Sequence, residues 1–360
     1  MTNKKIGIII PANIWFAPYL NIYTNLFQEI SIDYDIISWN RDGTEDKTGT
    51  TYSPEYINSG LLKKIRQRLN FYKFTKKIIR KNKYDRLVVF GSFSSIFLLR
   101  LLIFNYKRRY IIDIRDLSVE QNLFSKFLFK VVINNSYANV ISSRGFIKHL
   151  PKCSNYFISH NFDKSTIQDA LNKKCNVSNI ITPPIHILTI GGIRDYISNL
   201  EIIKKLANNS DYQLSFVGKG YASPRLKDYV DANNINNVSF RGYYEKQDEY
   251  KYINECHLLN IYYPKTRLHS SAMSNRFYHS LVYCKPMIVT NNSIQGDLTI
   301  KYKLGITIDN CKDIDNKIKH YLNNFDTSTY LKNRKELLTI FYNDYLNFEK
   351  MLLKFTNHLS

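Results

Sequence analysis

The feature that most constrains this chain is an alternation that runs its course, lapses and begins again. Short apolar runs recur between longer amphipathic stretches: KIGIII at 5–10, YDIIS at 34–38, RLVVFG at 86–91, RYIIDI at 109–114, ANVIS at 138–142 and NYFIS at 155–159. Helical patterns lie between most of them, near 18–30, 58–82, 93–104 and 119–133. Runs rich in Ile and Val suit strands buried on both faces, and strands alternating with helices predict a parallel sheet covered on both sides. Around 164–186 the pattern lapses, and polar composition with Pro183-Pro184 marks a linker. It then restarts with HILTIGG (186–192), YQLSFVG (212–218), VSFRG (238–242), HLLNIYY (257–263), PMIVT and GITI (305–308), again with helical stretches between. Residues 312–360 read as helical throughout.

The expected fold class is therefore α/β, with two doubly wound Rossmann-like domains, and 360 residues suffice for two such cores. The expected boundaries are 1–175 for the first domain, 185–325 for the second, and 326–360 for C-terminal helices. In doubly wound sheets ligands bind outside the carboxyl ends of the strands. The polar segment 40–57 follows a strand and reads as a mobile loop able to close over a substrate.

Charge narrows the partners. The net charge is +21, and residues 61–109 hold fifteen Lys or Arg against one acid, Asp85. Such a field favours an anionic partner, whether lipid headgroups, a polyanionic glycan or nucleic acid; the alternative is a solvated basic face. The helix at 58–82 spaces Leu61, Ile65, Leu69, Tyr72 and Ile79 near one face, beside the tract IFLLRLLIFNYKRR. That is the pattern of a basic core-facing helix or of one lying on an anionic membrane. No compact RNA- or DNA-binding motif is present, so nucleic acid is not an expected partner. Ile6 to Ile10 is too short for a secretory signal core. The longest apolar run, 96–104, carries Arg100 and falls short of the about 20 residues that span a bilayer. Five widely spaced cysteines without metal or redox spacing read as reduced thiols of a cytoplasmic protein.

Candidate chemistry gathers after the strands. Gly191-Gly192, Gly218-Lys219-Gly220 and Arg241-Gly242 are glycine turns that could bring backbone N–H groups to an anion. None has P-loop or Rossmann dinucleotide spacing. Asp113, Arg115 and Asp116 end a strand, either as an ion pair or with a carboxylate facing sugar hydroxyls, and His160 ends another. No Asp-x-Asp triplet suggests a divalent ion on a diphosphate.

The run Asn275-Arg276-Phe277-Tyr278-His279-Ser280-Leu281, followed by Lys285-Pro286-Met287-Ile288-Val289, resembles the donor-site helix and strand of family 4 glycosyltransferases of the GT-B fold. There the pattern is roughly N-K-L-Y-E-A-L, then G-K-P-V-I. The family glutamate that holds the donor ribose falls on His279, its partner eight residues earlier on Ser271, and the usual glycine before Lys-Pro on Cys284. LTIGGIRDYISNLEIIKKL resembles the family's diphosphate-binding strand and helix, with Gly192 and Ser198 at the usual Arg and Lys positions; Arg194 and Lys219 are the candidate replacements. VSFRGYYEK resembles the loop that holds the base by backbone groups, which points to Gly242, Tyr243 and Tyr244. Asp113-Ile114-Arg115-Asp116-Leu117 is similar to the D-x-R-D-L-W segment of bacterial surface-glycan transferases. The resemblance spans most of 5–310.

It implies two domains facing a central cleft, and transfer of a sugar, of hexosyltransferase type, from a nucleotide-sugar to a lipid-linked acceptor in capsule or O-antigen synthesis. It implies a retaining reaction without cofactor or metal, on the cytoplasmic face of the inner membrane. Arg194, Lys219 and Asp116 would be catalytic; Gly191, Gly192, Gly218, Gly242, Tyr243, Tyr244, Ser271, Asn275 and His279 would bind the donor; Asp113, Arg115 and His160 would face the acceptor. The alternative, suggested by the missing carboxylates, is a non-catalytic subunit of a glycan assembly complex.

Overall fold

The structure is a computed structural model that describes residues 5–44, 49–54, 60–117, 123–153, 155–173, 175 and 182–357. Parts of the expected loop at 40–57 and linker at 164–186, the first residues of the helices expected at 58–82 and 119–133, and His358 lie outside the described residues. The chain divides into two compact units, Met1–Asp163 with Asn343–Ser360, and Lys164–Tyr342.

The first unit runs β1 (Lys5–Ile10), α1 (Asn21–Glu29), β2 (Asp33–Trp39), β3 (Thr51–Tyr52), α2 (Leu61–Asn82), β4 (Arg86–Phe90), α3 (Ser92–Phe97), α4 (Leu99–Asn105), β5 (Tyr110–Ile114), α5 (Leu123–Asn135), β6 (Ala138–Ile141) and β7 (Tyr156–Ile158). Its seven strands, all parallel, are ordered β3-β2-β1-β4-β5-β6-β7. The second unit runs α6 (Lys164–Asn172), β8 (Ile185–Ile190), α7 (Tyr196–Leu206), β9 (Tyr212–Val217), α8 (Ser223–Ala232), β10 (Val238–Arg241), α9 (Glu249–Glu255) and β11 (Leu258–Ile261). It continues with α10 (Arg267–Ser271), α11 (Asn275–Val282), β12 (Met287–Thr290), α12 (Ile294–Lys301), β13 (Gly305–Ile308) and α13 (Ile314–Asn323). Its six parallel strands are ordered β10-β9-β8-β11-β12-β13. The last helix, α14 (Thr327–Thr356), has residues in both units. Both sheets are doubly wound, as the alternation requires.

Three departures have physical reasons. Part of the expected linker is the helix α6, short but anchored by buried Ile167 and Ala170, three residues apart on one face. On α2 the buried set is Phe71, Tyr72, Thr75, Ile78 and Ile79, whereas Ile65 and Leu69 stand 51% and 43% exposed, so the apolar stripe faces inward only over the second half. Cys175 and Cys284, expected as separate reduced thiols, are brought side by side with Cα atoms 6.2 Å apart; their separation of 109 residues hid the proximity. Among the described residues no helix is long and apolar enough to cross a membrane.

The first core is built from Ile6, Ile8 and Ile10 of β1, Val88 and Phe90 of β4, Tyr23 and Phe27 of α1, and Phe348, Leu352 and Phe355 of α14. At its polar rim β5 ends in a clamp. Asp113, wholly buried, accepts from Tyr23 Oη at 2.7 Å and from Arg115 Nε and Nη2 at 2.6 Å each. The same guanidinium donates to Ser159 O and Asn161 Oδ1 beyond β7, and burial, then the Asp113 charge, pushes the Tyr23 phenol well above its ordinary range. We expect Asp113→Ala to lower stability by about 3–5 kcal/mol, because it leaves a buried guanidinium without its carboxylate. Tyr23→Phe should cost about 1–3 kcal/mol. Urea unfolding checks both, and an unchanged midpoint in Asp113→Ala would rule out the clamp.

Candidate functional site in the second unit

In the second sheet the strand order reverses between β8 and β11, and an open doubly wound sheet holds its ligand at that switch. A cleft of about 480 Å³ lies there. Ile190, Gly191, Gly192 and Arg194 line it from the end of β8 and the turn after it, Tyr263 from after β11, and Ser274, Asn275, Arg276 and His279 from the cap and body of α11. A larger hollow of about 840 Å³ follows the edge strand β13 and helix α13, away from the switch.

Helix α11 starts as its sequence dictates. The Ser274 hydroxyl accepts from the Phe277 N–H and donates to Gln295 Oε1 at 2.7 Å, which ties the helix start to α12. Just past the end of the helix Cys284 takes a φ of +55°, which explains why glycine suits this position. Lys285 then donates to the carbonyls of Asn254 and Cys256 at the end of α9.

Arg276, beside the expected Asn275, is the residue that sequence reasoning passed over. It is 5% exposed and donates to Ile190 O at 2.6 Å and Gly192 O at 3.1 Å, over the Tyr263 ring. A cation in the first turn opposes the helix dipole, and that misfit was the available signal.

The glycines divide into two kinds. A Cβ on Gly191, at φ +93°, would meet only Tyr244 Oη at 4.0 Å, so space stands open beside this turn. A Cβ on Gly218 would fall 2.1 Å from Gly191 O, and one on Gly220 would fall 2.0 Å from Ile193 O. Gly218 and Gly220 therefore let the turns after β8 and β9 touch each other. Gly242 has open space around it, and its carbonyl accepts from the Gly218 N–H.

The carboxylate missing from α11 enters from α9. Glu249 Oε2 stands 3.2 Å from His279 Nε2, and Glu249 Oε1 accepts from Tyr244 Oη at 2.7 Å. All three side chains line the cleft. Burial holds His279 below the ordinary imidazole value of 6.5, outweighing the Glu249 charge beside it. Burial, then the bond to Glu249, pushes the Tyr244 phenol well above its ordinary range, so it remains a donor. A carboxylate offers about four lone-pair sites, so two such contacts leave capacity for ligand hydroxyls. Nothing in the sequence singles Glu249 out, since an acid in a first helical turn is ordinary. His269, stacked on Tyr263, also lines the cleft and was likewise passed over.

The other expected residues scatter. Arg194 is exposed at the cleft, whereas Lys219 lies over the Tyr243 ring outside the lining. Tyr243 is 65% exposed, and Ser271 is buried outside the lining. In the first unit Asp116 is exposed. Asp113 faces inward and cannot meet a ligand while Arg115 and Tyr23 enclose it, which corrects its expected acceptor-side role; Arg115 is spent on the same clamp. His160 is buried 3.2 Å from Asp344, and burial holds its imidazole below 6.5. Among the described residues no three His, Cys, Asp or Glu side chains are grouped to hold a metal ion.

No protein-family model and no curated protein matches the chain. Solved structures do. Sucrose-phosphate synthase from Thermosynechococcus elongatus is similar over 99% of this chain and 100% of its own, at 11% identity and a TM-score of 0.71. Anabaena Alr3699/HepE in complex with UDP is similar over 99% and 100%, at 12% identity and 0.65. The lipopolysaccharide outer core galactosyltransferase WaaB, in its apo form, is similar over 96% and 98%, at 13% identity and 0.64. At such identities the likeness is one of fold, and the fold is GT-B, two Rossmann-like domains with parallel sheets.

Proposed function

We propose that the protein is a glycosyltransferase that takes a nucleotide-sugar into the cleft at β8 and β11 and passes the sugar to a lipid-linked surface-polysaccharide acceptor, in capsule or O-antigen synthesis. The observation that carries this reading is one lining that holds both parts a nucleotide-sugar requires. An open glycine turn with Arg194 and a helix start suits a diphosphate, and a carboxylate with spare acceptor capacity suits a sugar diol. The solved UDP complex of similar fold supports a nucleotide donor, and the lipopolysaccharide enzyme of similar fold supports a surface-glycan product. We further propose that it works at the cytoplasmic face of the inner membrane. Glu249 favours an enzyme over a non-catalytic subunit, because the cleft keeps a carboxylate although Ser271 and His279 are not acids.

In the proposed reaction the bond from the anomeric carbon to the diphosphate oxygen breaks, and its electron pair leaves with the diphosphate. The anomeric carbon bonds to the acceptor hydroxyl oxygen, on the face the diphosphate left, and that hydroxyl's proton passes to the departing phosphate oxygen. Arg194 and the dipole of α11 stabilise the growing charge without a metal ion. Backbone groups of Gly242, Tyr243 and Tyr244 hold the base, and Glu249, oriented by Tyr244 and His279, holds the ribose hydroxyls. A thermal-shift screen against nucleoside diphosphates and their sugars tests this, since a ligand bound only by the folded state raises the melting temperature. A flat response to the whole panel would overturn it.

Arg194→Ala should raise the barrier by about 2–4 kcal/mol, read in kcat. Lys219→Ala, outside the lining, should change kcat by less than about threefold, under 1 kcal/mol. Equal losses in the two would reject this division of roles.

Glu249→Gln should raise the donor KM by about tenfold or more with a smaller change in kcat, as expected for contacts made alike in ground and transition states. Donor affinity should fall only as pH drops below 6.5, the ordinary imidazole value, because burial lowers the His279 titration and a charged imidazole would draw Glu249 away from the ribose. His279→Gln should keep binding and remove that pH dependence. His279→Glu would set two carboxylates side by side and should weaken binding. Donor KM measured from pH 5 to 8 on wild type and these variants checks all four outcomes.

A further inference from the structure

Helix α5 covers the first sheet with one face and leaves a second apolar face uncovered. Phe129, Val132 and Ile133 are fully buried, yet Leu123 is 86% and Phe127 63% exposed. Those two are four residues apart and so share one face of the helix. No acid occurs between Leu123 and Asn135, and Lys126 and Lys130 lie among the apolar residues. Across a shallow depression of about 530 Å³, the segment after β6 adds Lys148, Leu150 and Lys152. Single exposed apolar residues need no explanation, but two on one face beside four cations form a patch of defined chemistry.

We propose that this patch is a bilayer-insertion face, with Leu123 and Phe127 entering the headgroup–acyl boundary of an anionic membrane and Lys126, Lys130, Lys148 and Lys152 meeting lipid phosphates. It rests on the reading above that the acceptor is lipid-linked, and it names the surface that brings the enzyme to it. Charge complementarity with apolar protrusion selects this occupant. A nucleic acid or free polyanion would use the lysines and gain nothing from Leu123 and Phe127. A second copy related by two-fold symmetry would set four lysines against the same four. The basic tract expected to bind membrane, 61–109, belongs to the neighbouring helices. Tyr72 of α2 stacks on Phe97 of α3, and α3 and α4 both contact α5. The tract then supplies diffuse attraction and α5 supplies insertion.

The test is co-sedimentation of the full chain with vesicles of phosphatidylglycerol and phosphatidylcholine, or of phosphatidylcholine alone, at 0.1 and 0.5 M salt. Wild type should partition onto the anionic vesicles. The double substitution Leu123→Ser, Phe127→Ser should weaken that by about tenfold or more at an unchanged melting temperature. Replacing Lys126, Lys130, Lys148 and Lys152 with Gln should remove the preference for anionic vesicles. Replacing Lys73, Lys76, Lys77, Arg80 and Lys81 with Gln should weaken binding at 0.1 M salt but leave insertion intact, seen as a blue-shifted emission of Phe127→Trp in that background. If wild type ignores every vesicle, the membrane-bound acceptor falls and this face with it. If wild type binds and the serine variant binds equally, only the assignment to α5 is overturned. A serine variant that loses self-association in sedimentation velocity yet binds vesicles normally would make the patch a subunit interface and likewise overturn it.

Discussion

The cleft of the second unit depends on a buried cation. Arg276 has given up water, and what replaces it is a set of carbonyl oxygens at the ends of β8 and β11: Ile190 O, Gly192 O and, at 3.4 Å, Asn260 O. Desolvating a guanidinium is costly unless its donors are satisfied. The helix start and the two strand ends can therefore adopt few other relative positions. Ser274 and Gln295 fasten the same helix start from the other side, so the lining of the cleft is held by contacts that need no ligand. Preorganisation of this kind is what electrostatic stabilisation of a developing charge requires.

Much of this architecture was legible because its signal is local. Parallel strands buried on both faces write themselves as runs such as KIGIII and RLVVF, and turns write themselves as glycines. What those glycines face is not local. Gly218 reads as an anion-binding turn, whereas its hydrogen is needed because another backbone occupies the space where a side chain would stand. The spacing on α2 was helical as read, but the sheet beneath covers only its second half, and no local pattern records where a neighbour ends.

The site shows the same division more sharply. Along the motif, His279 and Ser271 read as the loss of two carboxylates. In space, an acid thirty residues before His279 has taken up position against it, lining the same cleft. Asp113 illustrates the converse. Its motif suggested a ligand-facing acid, but Tyr23, ninety residues earlier, closes over it. Replacement by a distant residue and enclosure by a distant residue are both invisible to spacing, because each is a fact about packing.

The last helix has a consequence for synthesis. The second unit is one continuous stretch, 164–342, whereas the core of the first includes Phe348, Leu352 and Phe355. On a ribosome, which delivers the chain from its N-terminus, the first unit to be made is thus the second to be complete. Its apolar floor beneath β1 and β4 stays uncovered while the whole stretch 164–342 emerges. Such a surface draws chaperones and aggregation alike. In this chain the order of translation and the order of domain completion run in opposite directions.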